Sequence, residues 1–514
     1  MVKWIFCFCF LVLNFTASDR VGGVEITQSS DDGGGLGLVA TQQVPGNSVI
    51  TTVPSKVALS VETPSGGPDD ASVSDLCSDR RAFRDLPWYA QFSLYLYKLD
   101  KVSSKKSQGI NLQAWLDSLP RSFDTPIHWS SKGNLQYQHI GDAIDRQETE
   151  WKQLYNKLQS STTNAVDSMS FDDFVWGCEC ARSRAFSGAY TGTAFNPLVY
   201  AFTLLLVTAY VGLNLGTLEQ AANGAALVVC ASVLRDFVLP KLFKTKKYVI
   251  CPVIDMCNHK SVGTTAQVAY EFFADGYSLA TETSGPVVNQ GDEVYISYGS
   301  RSNDQLLQYY GFVEQDNPHD VYVMPPLRDW DIAALEQACG GPFAPGRLGK
   351  LERAGLLGRS AEAAAAAAAA AGSDDEKTVD DGDLTSSAGN PRGGVVLTRA
   401  GGGLDPAVLQ ALRALVSTET EWEDAGEAVG NFAASVSPEN ERKARLAART
   451  AMELEVAAKA TTLDEDRELL KRMDSMGSGV EPEEKLAVQF RIEKKKLLLE
   501  CIDKIGRASC RERC

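Results

Sequence analysis

Leu36 to Thr41 and Val49 to Val53 read as two short strands, joined through the turn residues Pro45-Gly46-Asn47 as a β-hairpin. Comparable segments return only at Tyr248 to Ile254, Val268 to Phe273, Ser278 to Thr281 and Glu293 to Ser297. A strand buried in a core must find partners for its N–H and C=O groups, so the early and late strands have to meet across the intervening chain. That chain is patterned as helix. Trp88 to Leu99 carries aromatics and leucines at helical spacing after Asp85-Leu86-Pro87, and Ser170 stands as an N-cap with Asp173 at N3. Phe171, Phe174, Val175 and Cys178 then repeat at i, i+3, i+4, i+7. The expectation is an α+β fold: a split β domain with a helical insert over 80–187.

The chain has 514 residues, enough for two or three domains. Its net charge of -16 disfavours nucleic acid as the main partner, because that binding relies on Lys and Arg neutralising phosphates. Among the twelve cysteines no CxxC pair or Cys/His quartet occurs, which argues against structural zinc, and Cys178-Glu179-Cys180 falls within an apolar helical pattern. Unpaired thiols suit a reducing compartment. Residues 1–18, with Lys3, an apolar run from Trp4 to Phe15 and small Thr16 and Ser18, have the layout of a signal peptide. An onward route to an organelle such as a plastid would reconcile the two.

From Ala185 to Leu218 there is no charged residue, and Pro197 to Gly216 is long enough to span a bilayer. Ala221 to Leu239 is apolar except for Arg235 and Asp236, and Lys241, Lys244, Lys246 and Lys247 follow it. The expectation is an apolar helical hairpin over 192–243, with its turn near Glu219 to Gly224, that anchors the protein to a membrane. A soluble helical pair or an interfacial helix is the alternative.

Beyond about residue 325 the pattern is helical, over 326–360 and 404–505, around a low-complexity linker at 361–403 that includes Ala363 to Ala371. Asp405-Pro406 supplies an N-cap and an N1 proline, and Thr462-Leu463-Asp464-Glu465 is a capping box. Ile505 to Arg513 reads IGRASCRER, similar to one frame of a sequencing adapter, so 506–514 is expected to be an artefact tail.

Taken one at a time, the polar candidates are ambiguous. Gly35-Leu36-Gly37 permits close backbone approach or makes a plain turn. Asn258 and His259 end an apolar strand as ligands or as satisfied core polars, and Tyr298 and Tyr310 could be ordinary packing. Together, GLGLVA, RSRAFSG from Arg182, IDMCNH, ISYGSRSN and YGF occur in the order seen in SET-domain methyltransferases of the RuBisCO large-subunit methyltransferase subfamily, which this chain resembles. AWLDSLP ending at Pro120, TTLDEDRELL from Thr461 and AVQFRIEKKKLL from Ala487 extend the likeness over most of residues 33 to 505. The insertion between Arg184 and Asp255 departs from that pattern.

The resemblance implies a SET domain over 19–325 followed by an all-α substrate-binding domain. It implies S-adenosylmethionine as cofactor, without metal, held by Gly35, Leu36, Gly37, Ser183, Arg184, Asp255, Asn258 and His259. Catalysis would fall to Tyr298 and Tyr310, which with Tyr270 would line a channel for the target lysine of a protein substrate. Arg184 and Asn258 would have to meet in one site, which excludes an odd number of membrane crossings between them. Two other readings remain: a histidine methyltransferase of the same subfamily, against which Tyr310 before Gly311-Phe312 argues, and a silent membrane-tethered binding module.

Overall fold

The computed structural model describes residues 23–358 and 395–511 apart from internal gaps, the longest being 64–82, 189–204 and 229–245. The chain forms two compact units, 1–123 with 147–298 and 124–146 with 299–514. The expected signal peptide and the poly-alanine run lie outside the described residues.

In the first unit the early and late strands do meet. Strands β1 (Val24–Gln28) and β2 (Leu36–Ala40) pair antiparallel. Strand β3 (Val49–Pro54) joins β10 (Ala266–Glu271) and β11 (Gly276–Thr281) in the order β10-β11-β3, and β4 (Leu59–Thr63) joins β7 (Phe186–Gly188) and β8 (Lys246–Ile250) in the order β4-β8-β7. The two-residue strands β5 (Lys106–Ser107) and β6 (Ile110–Asn111) pair with each other. Strands β9 (Asn258–His259) and β12 (Tyr295–Ile296) run parallel. The expected hairpin between the first two strand segments does not form, because both edges of β2 are taken. β1 occupies one, and on the other the Ala40 and Val294 amides bond to the Asp292 and Leu38 carbonyls, respectively. β3 therefore pairs with β11. The strand predicted from Tyr248 ends at Ile250, and Ile254–Met256 turns as a 3-10 helix instead.

The helical insert is present as α1 (Trp88–Tyr97), α2 (Gln113–Ser118), α3 (Gln138–Ser161) and α4 (Phe171–Arg184). The Ser170/Asp173 capping box starts α4. Cys178 and Cys180 are buried free thiols on that helix, pushed up in pKa by burial, which fits the packing role read for them.

The membrane-spanning hairpin over 192–243 is not supported. Among the described residues no helix is long and apolar enough to cross a membrane. What is described there is short helical pieces, chiefly 205–210 and 223–226.

The second unit is mostly helical. It contains α5 (Asn303–Tyr310), α6 (Ile332–Cys339), α7 (Arg347–Arg353), α8 (Pro406–Val416), α9 (Glu419–Asp424), α10 (Pro438–Ala457), α11 (Leu463–Met476) and α12 (Pro482–Arg511). Asp405 caps α8, and Thr462 and Glu465 close the expected capping box on α11. One apolar core joins Tyr322, Leu397, Leu412, Ala448, Phe490 and Leu497. The segment expected to be a structureless linker contributes β14 (Val395–Thr398), which pairs with β13 (Val321–Met324) and β15 (Gly403–Leu404). Its run Val395-Val396-Leu397 is buried, and that apolar gain outweighs the glycine-rich context. α12 runs to Arg511, and Ile505, just ahead of the expected artefact tail, is buried in the core.

Candidate active site

Strand pairing in the first unit decides which polar side chains meet. α4 ends at Arg184 and runs into β7, which lies antiparallel to β8 with Phe186 opposite Val249. β8 in turn leads to Cys251, whose carbonyl accepts from the Asp255 amide. Arg184 is thereby carried to Asp255: its Nη1 lies 3.1 Å from both the backbone oxygen and Oδ2 of Asp255. Trp115, fully buried on α2, donates its indole N–H to the same Oδ2 at 3.0 Å. Burial pushes the Asp255 carboxyl above its ordinary value, although Arg184 and Trp115 pull the other way. Asp255 Oδ1 and Arg184 Nε are buried without a hydrogen-bond partner. Just upstream, Val253 has φ 79°, a conformation that costs a β-branched residue about 1–3 kcal/mol and marks strain stored next to these groups.

The second group forms around Asn258. Its Nδ2 donates to Glu293 Oε1 at 2.6 Å and lies 3.5 Å from the Leu36 carbonyl. Glu293 is buried, and its Oε2 also accepts from Ser29 Oγ at 2.8 Å and from the Tyr295 hydroxyl at 3.0 Å. Gly37 is glycine for a steric reason: a Cβ there would collide with the Glu293 carboxylate and fall 3.1 Å from Asn258 Nδ2. Gly37→Ala should therefore lower stability by about 1–3 kcal/mol through overpacking, read as a reduced denaturant midpoint. An unchanged midpoint would show that the carboxylate yields freely.

His259 and Tyr298 make a third group, set by the parallel β9–β12 pair. The Tyr298 amide donates to His259 Nδ1 at 3.0 Å, and His259 Nε2 lies 3.2 Å from Ser261 Oγ. His259 Nδ1 also lies 3.3 Å from the Ile296 carbonyl. The two rings stack at 5.0 Å with 23° between planes. The Tyr298 hydroxyl donates to the Cys257 carbonyl at 2.8 Å. With its proton committed there, the phenol oxygen presents lone pairs to whatever lies in front of it.

Gly37, Arg184, Asp255, Asn258, His259 and Tyr298 thus fall within these contacts, together with the backbone of Leu36. Gly35 is exposed, with no atom within 4 Å of where a Cβ would sit. The Ser183 hydroxyl bonds back to the Glu179 carbonyl at 2.7 Å, on its own helix. Tyr270 is placed differently. β10 meets β12 near Thr265, and Tyr270 lies five residues further along, about 17 Å at the rise of a strand, with its ring 5.2 Å from Tyr277. Tyr310 belongs to the second unit. It ends α5 ahead of Gly311, whose φ of 75° gives the left-handed cap, and packs edge-on to Phe312.

Sequence reading missed Trp115 and Glu293. Trp115 stood inside the AWLDSLP match without an assigned role. Glu293 follows Asp292 and opens the apolar run Val294-Tyr295-Ile296, and a charge next to such a run can signal a buried partner.

The residues fit a ligand that carries both charges of an amino acid. A guanidinium at Arg184 suits a carboxylate, the Asn258 amide oxygen suits an ammonium, and Gly35 and Leu36 are exposed ahead of the buried Gly37. Among the described residues no group of three or more His, Cys, Asp or Glu is placed to hold a metal ion.

The chain is similar to known proteins over most of its length. The family described as Rubisco LSMT substrate-binding matches residues 362–498. The [Fructose-bisphosphate aldolase]-lysine N-methyltransferase, chloroplastic, of Arabidopsis thaliana is 23% identical over 94% of this chain and 80% of its own length. The ribulose-1,5 bisphosphate carboxylase/oxygenase large subunit N-methyltransferase, chloroplastic, of Pisum sativum is 24% identical over 88% of this chain and 75% of its own length. The fold matches a crystal structure of the SET domain of LSMT bound to lysine and AdoHcy with TM-score 0.55 and 17% identity, covering 100% of this chain and 93% of that one.

Proposed function

We propose that this chain, a SET-domain protein of the RuBisCO large-subunit methyltransferase subfamily, is an S-adenosylmethionine-dependent protein-lysine N-methyltransferase acting on a non-histone protein. The observation that carries the reading is the Tyr298 hydroxyl, bonded to the carbonyl of Cys257 beside Asn258 and so held next to the groups that suit an amino-acid-like cofactor. Two relatives named as chloroplastic protein N-methyltransferases, one of them for aldolase lysine, support the substrate class and a plastid location.

The residues that would hold the cofactor are the backbone of Gly35, Leu36 and Gly37 together with Ser183, Arg184, Asp255, Asn258 and His259. S-adenosylmethionine supplies an electrophilic methyl group. The protein's own task is to present a neutral amine, since an ammonium has no lone pair and deprotonating lysine at pH 7 costs about 4–5 kcal/mol from its reference pKa. Tyr298, as an acceptor, would take one amine N–H and turn the nitrogen lone pair towards the transferring carbon, an orienting effect. The helical unit with the Rubisco LSMT substrate-binding match would engage the protein substrate.

The cofactor assignment is tested by thermal denaturation of the full chain. S-adenosylmethionine at a hundred times its dissociation constant should add about 2.7 kcal/mol, and a chelator should leave the midpoint unchanged. No shift at millimolar cofactor in folded protein would remove the assignment.

A further inference from the structure

We propose that Glu293 is a positioning residue for the cofactor site, acting through Asn258; the inference rests on the methyltransferase reading. An asparagine amide can rotate by half a turn and exchange its donor and acceptor ends. Here the choice is forced, because Nδ2 faces two acceptors, Glu293 Oε1 at 2.6 Å and the Leu36 carbonyl at 3.5 Å. The rotated amide would set Oδ1 against a buried carboxylate and a carbonyl. Oδ1 is therefore the amide atom left for a ligand, and the site offers an acceptor to an ammonium.

The carboxylate is itself fixed. Ser29 and the Tyr295 hydroxyl hold Oε2 from two other chain segments, and the absent Cβ of Gly37 lets Oε1 reach Asn258. Glu293 so ties the end of β1, β2, β9 and β12 around one amide. A charge-assisted bond of this kind is stronger than a neutral one, so the 2.6 Å contact with Glu293 outweighs the 3.5 Å contact with the Leu36 carbonyl in selecting the amide orientation.

The test is direct titration of S-adenosylmethionine into the full chain by calorimetry, for wild type, Asn258→Ala, Glu293→Ala and the double variant. Glu293→Ala should weaken binding by roughly 10- to 100-fold, the range of a hydrogen bond to a charged group, and raise KM for the cofactor far more than it lowers kcat. In the Asn258→Ala background the same change should have little further effect, because the amide it orients is gone. Glu293→Gln, whose Oε1 can still accept from Asn258 while its amide donates to the two hydroxyl oxygens, should restore binding to within about fivefold of wild type. Losses that multiply in the double variant, or a Glu293→Ala protein that binds as wild type does, would overturn the proposal. If Glu293→Ala does not fold, Asn258→Asp decides. Facing Glu293 it should bind weakly, and adding Glu293→Gln should restore binding by supplying a donor; no restoration sinks the proposal. Absence of binding by wild type would instead count against the methyltransferase reading itself.

Discussion

Tyr298→Phe is expected to lower the rate of methyl transfer at saturating cofactor by roughly a hundredfold or more, while the cofactor dissociation constant changes little. The ring would keep its stacking on His259, and the backbone amide its bond to Nδ1. Only the hydroxyl disappears, and with it the acceptor that orients the amine. Its loss also leaves the Cys257 carbonyl without this donor, which should cost about 1 kcal/mol of stability. That cost is too small to unfold the domain and far too small to account for the rate. Single-turnover measurements separate the effects, and a variant with full activity on its substrate would remove the role assigned to Tyr298.

The largest effect on stability is expected at Lys494 in the helical unit. This lysine is fully buried and donates to Asp304, to Asp320 at 2.8 Å and to the Val321 carbonyl at 2.7 Å; His139 contacts Asp304 at 2.8 Å. Lys494→Met keeps most of the volume and removes the cation, and breaking a buried pair in this way costs about 3–5 kcal/mol. The pH dependence has a definite sign. Burial by itself would raise the Asp304 carboxyl, but Lys494 and His139 outweigh it and hold the carboxyl below its ordinary range. Its stabilising share is therefore complete above the unfolded value, near pH 4, and is lost as pH falls through the lower native value. In Lys494→Met the burial remains without its main counter-charge, so the carboxyl should move up. The deficit should then be greatest near pH 7 and shrink as protonation relieves it towards pH 4. Urea unfolding of both proteins across that range measures the gap; a gap that widens in acid would contradict the assignment.

Local chemistry was readable in the sequence and pairing was not. Ser170 with Asp173, Thr462 with Glu465, and Asp405 before Pro406 each announce a helix start within four residues, and each is found where expected. The partner of β2 could not be read that way. It depends on segments 290–294 arriving from far along the chain to occupy an edge, a tertiary fact with no local signature. The same holds for β14: four strand-forming residues after two glycines look like part of a linker until β13 is available to pair with them. At the candidate site, Asn258, His259 and Tyr298 could be singled out from the sequence because their motifs occur in order. The contacts of Trp115 with Asp255 and of Glu293 with Asn258 had no local signature and appear only in the folded chain. For the apolar insertion, length and hydropathy permit a membrane span, but among the described residues no helix is long and apolar enough to make one.

The central claim, methyl transfer from S-adenosylmethionine to lysine, is tested most directly by the chemical identity of the product. Full-chain protein is incubated with methyl-labelled cofactor and a fractionated lysate, and the labelled protein is hydrolysed to amino acids. The label should elute as methylated lysine and should fall at least to a small fraction of its wild-type amount with Tyr298→Phe. Label recovered as methylhistidine, or no transfer by a protein that demonstrably binds the cofactor, would contradict the account.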